Sequence, residues 1–205
     1  MSILLDKDIR NIFSTHHSRR YPKSKLLNEV RVNNGLAIAD LVSVGTKSSH
    51  CYEIKSDRDK ISRVLDQAKY FDIVFSKISL ITTSAQCEKA LNAIPPYWGI
   101  IIVSDTPKEK VHYLRKASVS PLFSEHKALL TLWRDELLGI LLMKDIIEKS
   151  TKKSSRIELI NILCSNLSTT EVCKSMSNCL FSREQNYQDK IWFRSTPIKS
   201  RLSLT

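Results

Sequence analysis

The sequence predicts an α/β fold, in which a mixed sheet is flanked by helices and followed by an α-helical C-terminal extension. Apolar, β-branched runs of strand length lie at residues 36–44, 50–55, 77–83 and 99–104. Helical patterns separate the last three runs, and this order indicates parallel crossover connections. After residue 124 the strand-like runs stop, and leucine recurs at helical spacing.

The N-terminal part of the chain predicts a helix, a segment that carries Glu29, and a hairpin. Ile9, Ile12 and Phe13 predict a helix over 6–13, and the basic segment 16–22 is expected to end it. Residues 24–30 are typical of either a short helix or a strand, and they carry Glu29. The runs at 35–44 and 50–55 flank a turn-forming stretch that begins at Gly45, so an antiparallel hairpin is predicted.

The crossover region follows. A helix is predicted over 57–75, because Ser56-Asp57 suits its N-terminus and apolar residues then recur at helical spacing. Next come a strand at 77–83, a helix at 84–93, a break at Pro95-Pro96 and a strand at 99–104.

The C-terminal region predicts one long helix over 124–149 and a second over 154–166. The capping box from Ser168 to Glu171 starts a third helix, which is expected to reach about residue 183. The predicted organisation is a sheet domain at 1–120, an α-helical region packed on it at 121–194 and a disordered tail at 195–205, where Ser and Thr are frequent.

Composition narrows the class of protein. The 205 residues include 32 Lys and Arg against 21 Asp and Glu, a net charge of +11 that is typical of a protein with a polyanionic partner but fits a merely basic, soluble surface equally well. No phosphate-cradling glycine motif occurs. The longest apolar run is residues 137–143, which is too short to span a membrane. The N-terminal residues include acidic ones by position six and no long apolar core, so secretion is not indicated and a cytoplasmic protein is expected. Five cysteines without a CxxC argue against disulfides or a zinc knuckle.

A charged set in the hairpin points to chemistry. Residues two apart on a strand share a face, so Glu53 and Lys55 are expected to project together. Asp40 stands among apolar residues of the partner strand, where an unpaired carboxylate is costly. Hard oxygen ligands suit Mg²⁺ or Mn²⁺. The pattern therefore predicts a cation bound between the two strands.

These residue types match the needs of phosphodiester hydrolysis. That reaction needs an activated water, a Lewis acid on the phosphate and positive charge where negative charge develops. Two carboxylates would hold the metal, and Lys55 would orient the water or stabilise the developing charge. Whether Lys55 itself takes the proton is left open by the sequence.

The order Glu29, Asp40 and Glu53-Ile54-Lys55 resembles the PD-(D/E)XK nuclease superfamily, over residues 24–104. The resemblance implies the restriction-endonuclease-like fold. Gln67-Ala-Lys-Tyr70 is similar to a motif of RecB-like members, and the whole set resembles small bacterial RecB-like proteins of unassigned role. One departure is Ala39 before Asp40, where the superfamily often has Pro.

The resemblance also implies roles for single residues. Asp40, Glu53 and Glu29 would be catalytic metal ligands for Mg²⁺ or Mn²⁺, joined by the main-chain carbonyl of Ile54, and Lys55 would be the catalytic lysine. Substrate binding would fall to a stripe on the following helix, namely Arg63, Gln67 and Tyr70.

Simpler interpretations of each residue remain. Glu53 and Lys55 alone suit an exposed strand pair, Asp40 alone could cap a turn, and Glu29 could be solvated. Gln67 and Tyr70 are common on half-exposed helices.

The predicted function is a metal-dependent DNA nuclease of repair, recombination or defence against foreign DNA. The alternatives are an inactive nucleic-acid-binding adaptor of the same fold, which would recruit a protein partner through its C-terminal helices, and a nuclease acting on RNA.

Overall fold

A six-stranded mixed sheet forms the centre of the fold. The computed structural model describes residues 3–32, 35–106, 110–146 and 150–195, with the backbone alone for residues 150, 152 and 184–195. The strands are β1 (Lys25–Val32), β2 (Ala37–Val44), β3 (Ser49–Ile54), β4 (Ile78–Thr83), β5 (Gly99–Val103) and β6 (Val111–Arg115). The helices are α1 (Asp6–Arg20), α2 (Ser62–Asp72), α3 (Cys87–Ala93), α4 (Glu125–Leu129), α5 (Arg134–Met143), α6 (Arg156–Asn166) and α7 (Thr169–Ser195). The predicted α/β class is confirmed.

The strands lie side by side in chain order. β1, β2 and β3 pair antiparallel, β3, β4 and β5 pair parallel, and β6 returns antiparallel to β5. This confirms the predicted hairpin and both parallel crossovers. Residues 25–32 form an edge strand, which settles the choice between helix and strand for the segment that carries Glu29.

Two apolar clusters cover the two faces of the sheet. One cluster joins α1, through Ile9 and Phe13, to Leu41, Tyr52 and Ile54. The larger cluster unites the other sheet face with α2, α3 and the C-terminal helices, as far along the chain as residue 180. Burial of these side chains removes apolar surface from water and is the main force that holds the layers together. The division of the chain at residue 120 stays a prediction.

A buried carboxylate anchors the end of α2. Asp72 accepts hydrogen bonds from the indole nitrogen of Trp98 at 2.7 Å and from the hydroxyl of Tyr97 at 3.0 Å. Burial raises the pKa of Asp72, although both donors act in the opposite direction. The pair of donors ties the crossover helix to the segment that leads into β5.

Two predictions about helix ends were wrong near the sheet. α1 continues through the basic segment to Arg20, because Ile9, Phe13 and His17 lie on one buried face. The crossover helix begins at Ser62 rather than near residue 57, because side-chain contacts hold the segment after β3 as a loop.

The sequence did not predict strand β6, because only Val111 of this short edge strand is buried.

The single long helix predicted over 124–149 was also wrong. Two helices stand there, separated at residues 130–133, and Glu136 accepts a hydrogen bond from the main-chain nitrogen of Trp133 at 2.6 Å, which starts α5. The predicted end at 147–149 and nearly all of the predicted tail, residues 196–205, lie outside the described residues. Within the described ranges, no helix has the length and apolar character needed to cross a membrane.

Candidate active site

The predicted carboxylates of the hairpin meet at a local break in the sheet. The ladder between β2 and β3 ends at the pair of Leu41 and Tyr52, so the next residues, Asp40 and Glu53, lie just beyond it. The main-chain nitrogen of Ile54 donates to Asp40 Oδ2 at 2.8 Å instead of to a strand carbonyl. The Asp40 carboxylate thus replaces the missing ladder bond, and its position is fixed by the backbone of the neighbouring strand.

Glu53 is the most buried charged group of the site. Its side chain is 2% exposed, and its Oε1 accepts a hydrogen bond from Lys55 Nζ at 2.6 Å. Oε2 is buried and has no hydrogen-bond partner among the described residues. Burial, and then the nearby Asp40 carboxylate, raise the pKa of Glu53 to about 7, although Lys55 acts in the opposite direction.

Lys55 leaves the end of β3 on the same side as Glu53, as the sequence predicts. Its main-chain nitrogen donates to the carbonyl of Ile81 at 2.9 Å, and its own carbonyl accepts from Thr82 Oγ1 at 2.8 Å. Its side chain is 14% exposed. Contacts to β4 therefore hold the backbone of Lys55 while its ammonium faces Glu53.

The loop after β3 is held by residues that sequence reasoning missed. Gln86 Nε2 donates to the carbonyls of Asp57 at 3.2 Å and Asp59 at 3.0 Å. Thr83 donates to the Asp57 carboxylate, and Asp59 accepts from Ser56 Oγ at 2.6 Å. These contacts fix the chain between Lys55 and α2. No local sequence signal identifies Gln86, because its partners are nearly 30 residues away.

Arg10 of α1 also contacts the site, and the sequence did not predict this contact. Its guanidinium Nη1 donates to the main-chain carbonyl of Asp40 at 2.8 Å, and Nη2 lies 3.5 Å from Asp40 Oδ1. The same side chain reaches Asn28 on β1 and Asp6 on α1, both at 3.3 Å. The only signal in the sequence is the spacing of Asp6 and Arg10, which suits an ion pair on a helix.

Glu29 lies beside the site but does not complete it. The register pairs Asn28 with Leu41 and Val30 with Ala39, so Glu29 falls opposite Asp40 on β1. Its side chain is exposed, and its φ of 53° is a left-handed conformation that a residue other than glycine seldom adopts. In the described ranges, no three His, Cys, Asp or Glu side chains gather as a metal would require.

The predicted substrate-binding stripe lies on α2, which packs against β2. Arg63 is exposed, whereas Gln67 and Tyr70 are half-buried. Tyr70 contacts the larger apolar cluster, and the ammonium of Lys69 lies 5.0 Å from the centre of its ring. In the part of the chain that is described, no hydrogen bond joins this stripe to Asp40, Glu53 or Lys55, so its binding role stays a prediction.

Comparisons with known proteins add one firm result. A family model described as bacteriophage P4 protein cII matches residues 8–203. No curated protein matches the chain. Among solved structures, the chain is similar to SPO1766, a protein of unknown function from Silicibacter pomeroyi, with a TM-score of 0.45 and 13% identity over 71% of this chain and 94% of that one. A likeness this weak carries no argument about fold or function.

Proposed function

We propose that this chain, which belongs to the bacteriophage P4 protein cII family, is a metal-dependent nuclease that hydrolyses DNA phosphodiester bonds. The proposal places it in DNA repair, recombination or defence against foreign DNA. One observation carries it: Asp40 and Glu53 meet where β2 and β3 part, and Lys55 contacts Glu53 at 2.6 Å. A buried carboxylate beside a second one serves no packing purpose and costs stability.

A divalent ion suits the donor chemistry of this pair. Glu53 Oε2 is a buried oxygen without a hydrogen-bond partner among the described residues, and a bound cation would satisfy it. Asp40, Glu53 and the carbonyl of Ile54 would hold Mg²⁺ or Mn²⁺, whose preferred ligands are oxygens. Glu29 would join them only after a change of conformation.

The bound ion would polarise the phosphate and lower the pKa of a coordinated water. The protein's own residues would do the remaining work. Ile54 fixes the orientation of Asp40 through its N–H, and burial keeps water away from Glu53. Lys55 supplies a positive charge at the place where the hydrolytic transition state gains negative charge.

The charge of the whole chain agrees with a nucleic-acid substrate. The net charge of +11 attracts the phosphate backbone without regard to base sequence. The stripe of Arg63, Gln67 and Tyr70 on α2 would contact that backbone beside the metal.

A second candidate is a nucleic-acid-binding adaptor that lacks catalysis. It is favoured by the cations that already contact the carboxylates, since Arg10 pairs with Asp40 and Lys55 with Glu53. A protein of this kind would use the C-terminal helices to recruit a partner. Salt-sensitive DNA binding without cleavage in any divalent cation would support it over the nuclease.

The direct test is cleavage by the purified chain. Plasmid DNA, single-stranded DNA and RNA of matched sequence are incubated with Mg²⁺ or Mn²⁺ and with EDTA. We expect metal-dependent cleavage of DNA that falls at least a hundredfold in Asp40→Ala and in Lys55→Ala, but not in the matched control Asp66→Ala, an exposed carboxylate on α2. Cleavage that persists in both variants refutes the assignment, and preferential cleavage of RNA changes the substrate class.

A further inference from the structure

Arg10 gives the candidate site a cation of its own. Its side chain is 22% exposed, and its guanidinium lies against Asp40 from the α1 side of the sheet. Both oxygens of Asp40 are therefore engaged, one by Arg10 and the other by the N–H of Ile54. The planar guanidinium fits this double contact with a carbonyl and a carboxylate better than an ammonium would.

The four charged side chains at the break in the sheet balance one another. When Glu53 is ionised, Asp40 and Glu53 bring two negative charges, and Arg10 and Lys55 bring two positive ones. Asp6 also contacts Arg10, but its side chain is 49% exposed, so water screens most of its charge. A divalent ion added to this set would leave two positive charges without partners in a region where charge is costly.

We propose, on the basis of the nuclease function above, that Arg10 is the built-in counter-ion of the site and couples metal binding to substrate binding. The divalent ion binds weakly to the free protein, because it competes with Arg10 for Asp40. A nucleic-acid phosphate supplies one of the two missing negative charges and gives Arg10 a new acceptor. The ion and the phosphate therefore bind together, and each tightens the binding of the other by the same factor.

Arg10 comes from α1, which lies on one face of the sheet and is not part of the hairpin, so a small shift of its side chain would free Asp40 without breaking the sheet. Arg10 thus holds Asp40 in the free protein and contacts the phosphate once DNA is bound.

The test is titration of Mn²⁺ followed by electron paramagnetic resonance, which reports free Mn²⁺ without any reaction. The protein is titrated alone and with a short phosphorothioate-substituted DNA, as a single strand and as a duplex. Asp40→Ala with the same DNA corrects for Mn²⁺ that binds to DNA itself. We expect wild-type affinity for Mn²⁺ to rise at least tenfold when DNA is present.

Arg10→Gln should bind Mn²⁺ about tenfold more tightly than the wild type without DNA, and should lose most of the DNA effect, because the competing charge is gone. Arg10→Lys keeps the charge but not the double contact with Asp40, so its affinity for Mn²⁺ without DNA should lie between those of the wild type and Arg10→Gln. Arg19→Gln is the matched control, since it removes an exposed arginine about 13 Å further along α1 and should change nothing.

Three results overturn the inference. The first is wild-type binding of Mn²⁺ that is equally tight with and without DNA. The second is an Arg10→Gln variant that binds Mn²⁺ no more tightly than the wild type, and the third is an equal effect of Arg19→Gln. A different failure, in which Asp40→Ala and the wild type bind Mn²⁺ alike under every condition, refutes the metal site itself and with it the proposed function.

Discussion

Glu53 makes the stability of the metal-free protein depend on pH, and replacing it with glutamine should remove that dependence. Its folded pKa of about 7 lies above the ordinary value of 4.5. Between these two values the folded state binds a proton that the unfolded state has lost. The free energy of unfolding therefore falls as pH rises through this window, and the cost is fully present above pH 7.

The size of the effect follows from the two pKa values. A tenfold change in proton affinity corresponds to about 1.4 kcal/mol, so a rise from 4.5 to about 7 amounts to about 3 kcal/mol. In Glu53→Gln the amide cannot ionise, and this loss disappears. The variant also loses the ion pair with Lys55, which changes its absolute stability. The quantity to compare is therefore the change of the unfolding free energy with pH, and not its absolute value.

The assay is urea unfolding in EDTA at several pH values from 4 to 8, for the wild type, Glu53→Gln and Glu29→Gln. We expect the difference in unfolding free energy between Glu53→Gln and the wild type to move by about 3 kcal/mol across the range in favour of the variant. Glu29 is exposed, so its variant should follow the wild type. A difference between Glu53→Gln and the wild type that stays constant from pH 4 to 8 would show that folding does not raise the pKa of Glu53.

Three further substitutions test the supporting contacts. Asp72→Ala leaves the buried indole N–H of Trp98 unpaired and removes an acceptor of the half-buried Tyr97 hydroxyl, so it should lower the unfolding free energy by about 3 kcal/mol, against less than about 0.5 kcal/mol for Asp66→Ala, both measured by urea unfolding. Arg183→Met removes the two hydrogen bonds to Glu136 that join α7 to α5 and should cost about 2 kcal/mol in the same assay; an unchanged midpoint contradicts this. Gln86→Ala should loosen the loop after β3 and lower the rate of DNA cleavage about tenfold. The midpoint of thermal unfolding should stay within a few degrees of the wild type, because the change is local. Full cleavage activity would show that the loop does not position Lys55.

The sheet could be predicted because its strands carry strong local signals. The apolar runs at β2 to β5 and the turn after Val44 determine the hairpin and crossovers almost without reference to the rest of the chain. β6 was not predicted, because a half-exposed edge strand needs few apolar residues. The break between α4 and α5 was not predicted either, because leucines continue the helical period on both sides of it.

The candidate site was predictable only in part, because local sequence patterns do not show contacts between distant elements. Asp40, Glu53 and Lys55 stand on adjacent strands, so strand geometry alone brings them together. Arg10 reaches Asp40 across 30 residues, and no pattern within α1 says which strand the helix covers. Glu29 was expected in the metal shell, but its side chain is exposed and its backbone is left-handed, a conformation that no sequence rule predicts for glutamate.

Crystals grown with Mn²⁺ and uncleavable DNA would show whether Asp40 and Glu53 form one divalent cation site. We expect an anomalous peak for manganese about 2.1 Å from a carboxylate oxygen of each residue. Manganese found elsewhere, with Arg10 still on Asp40 and Lys55 still on Glu53 beside the bound DNA, would contradict it.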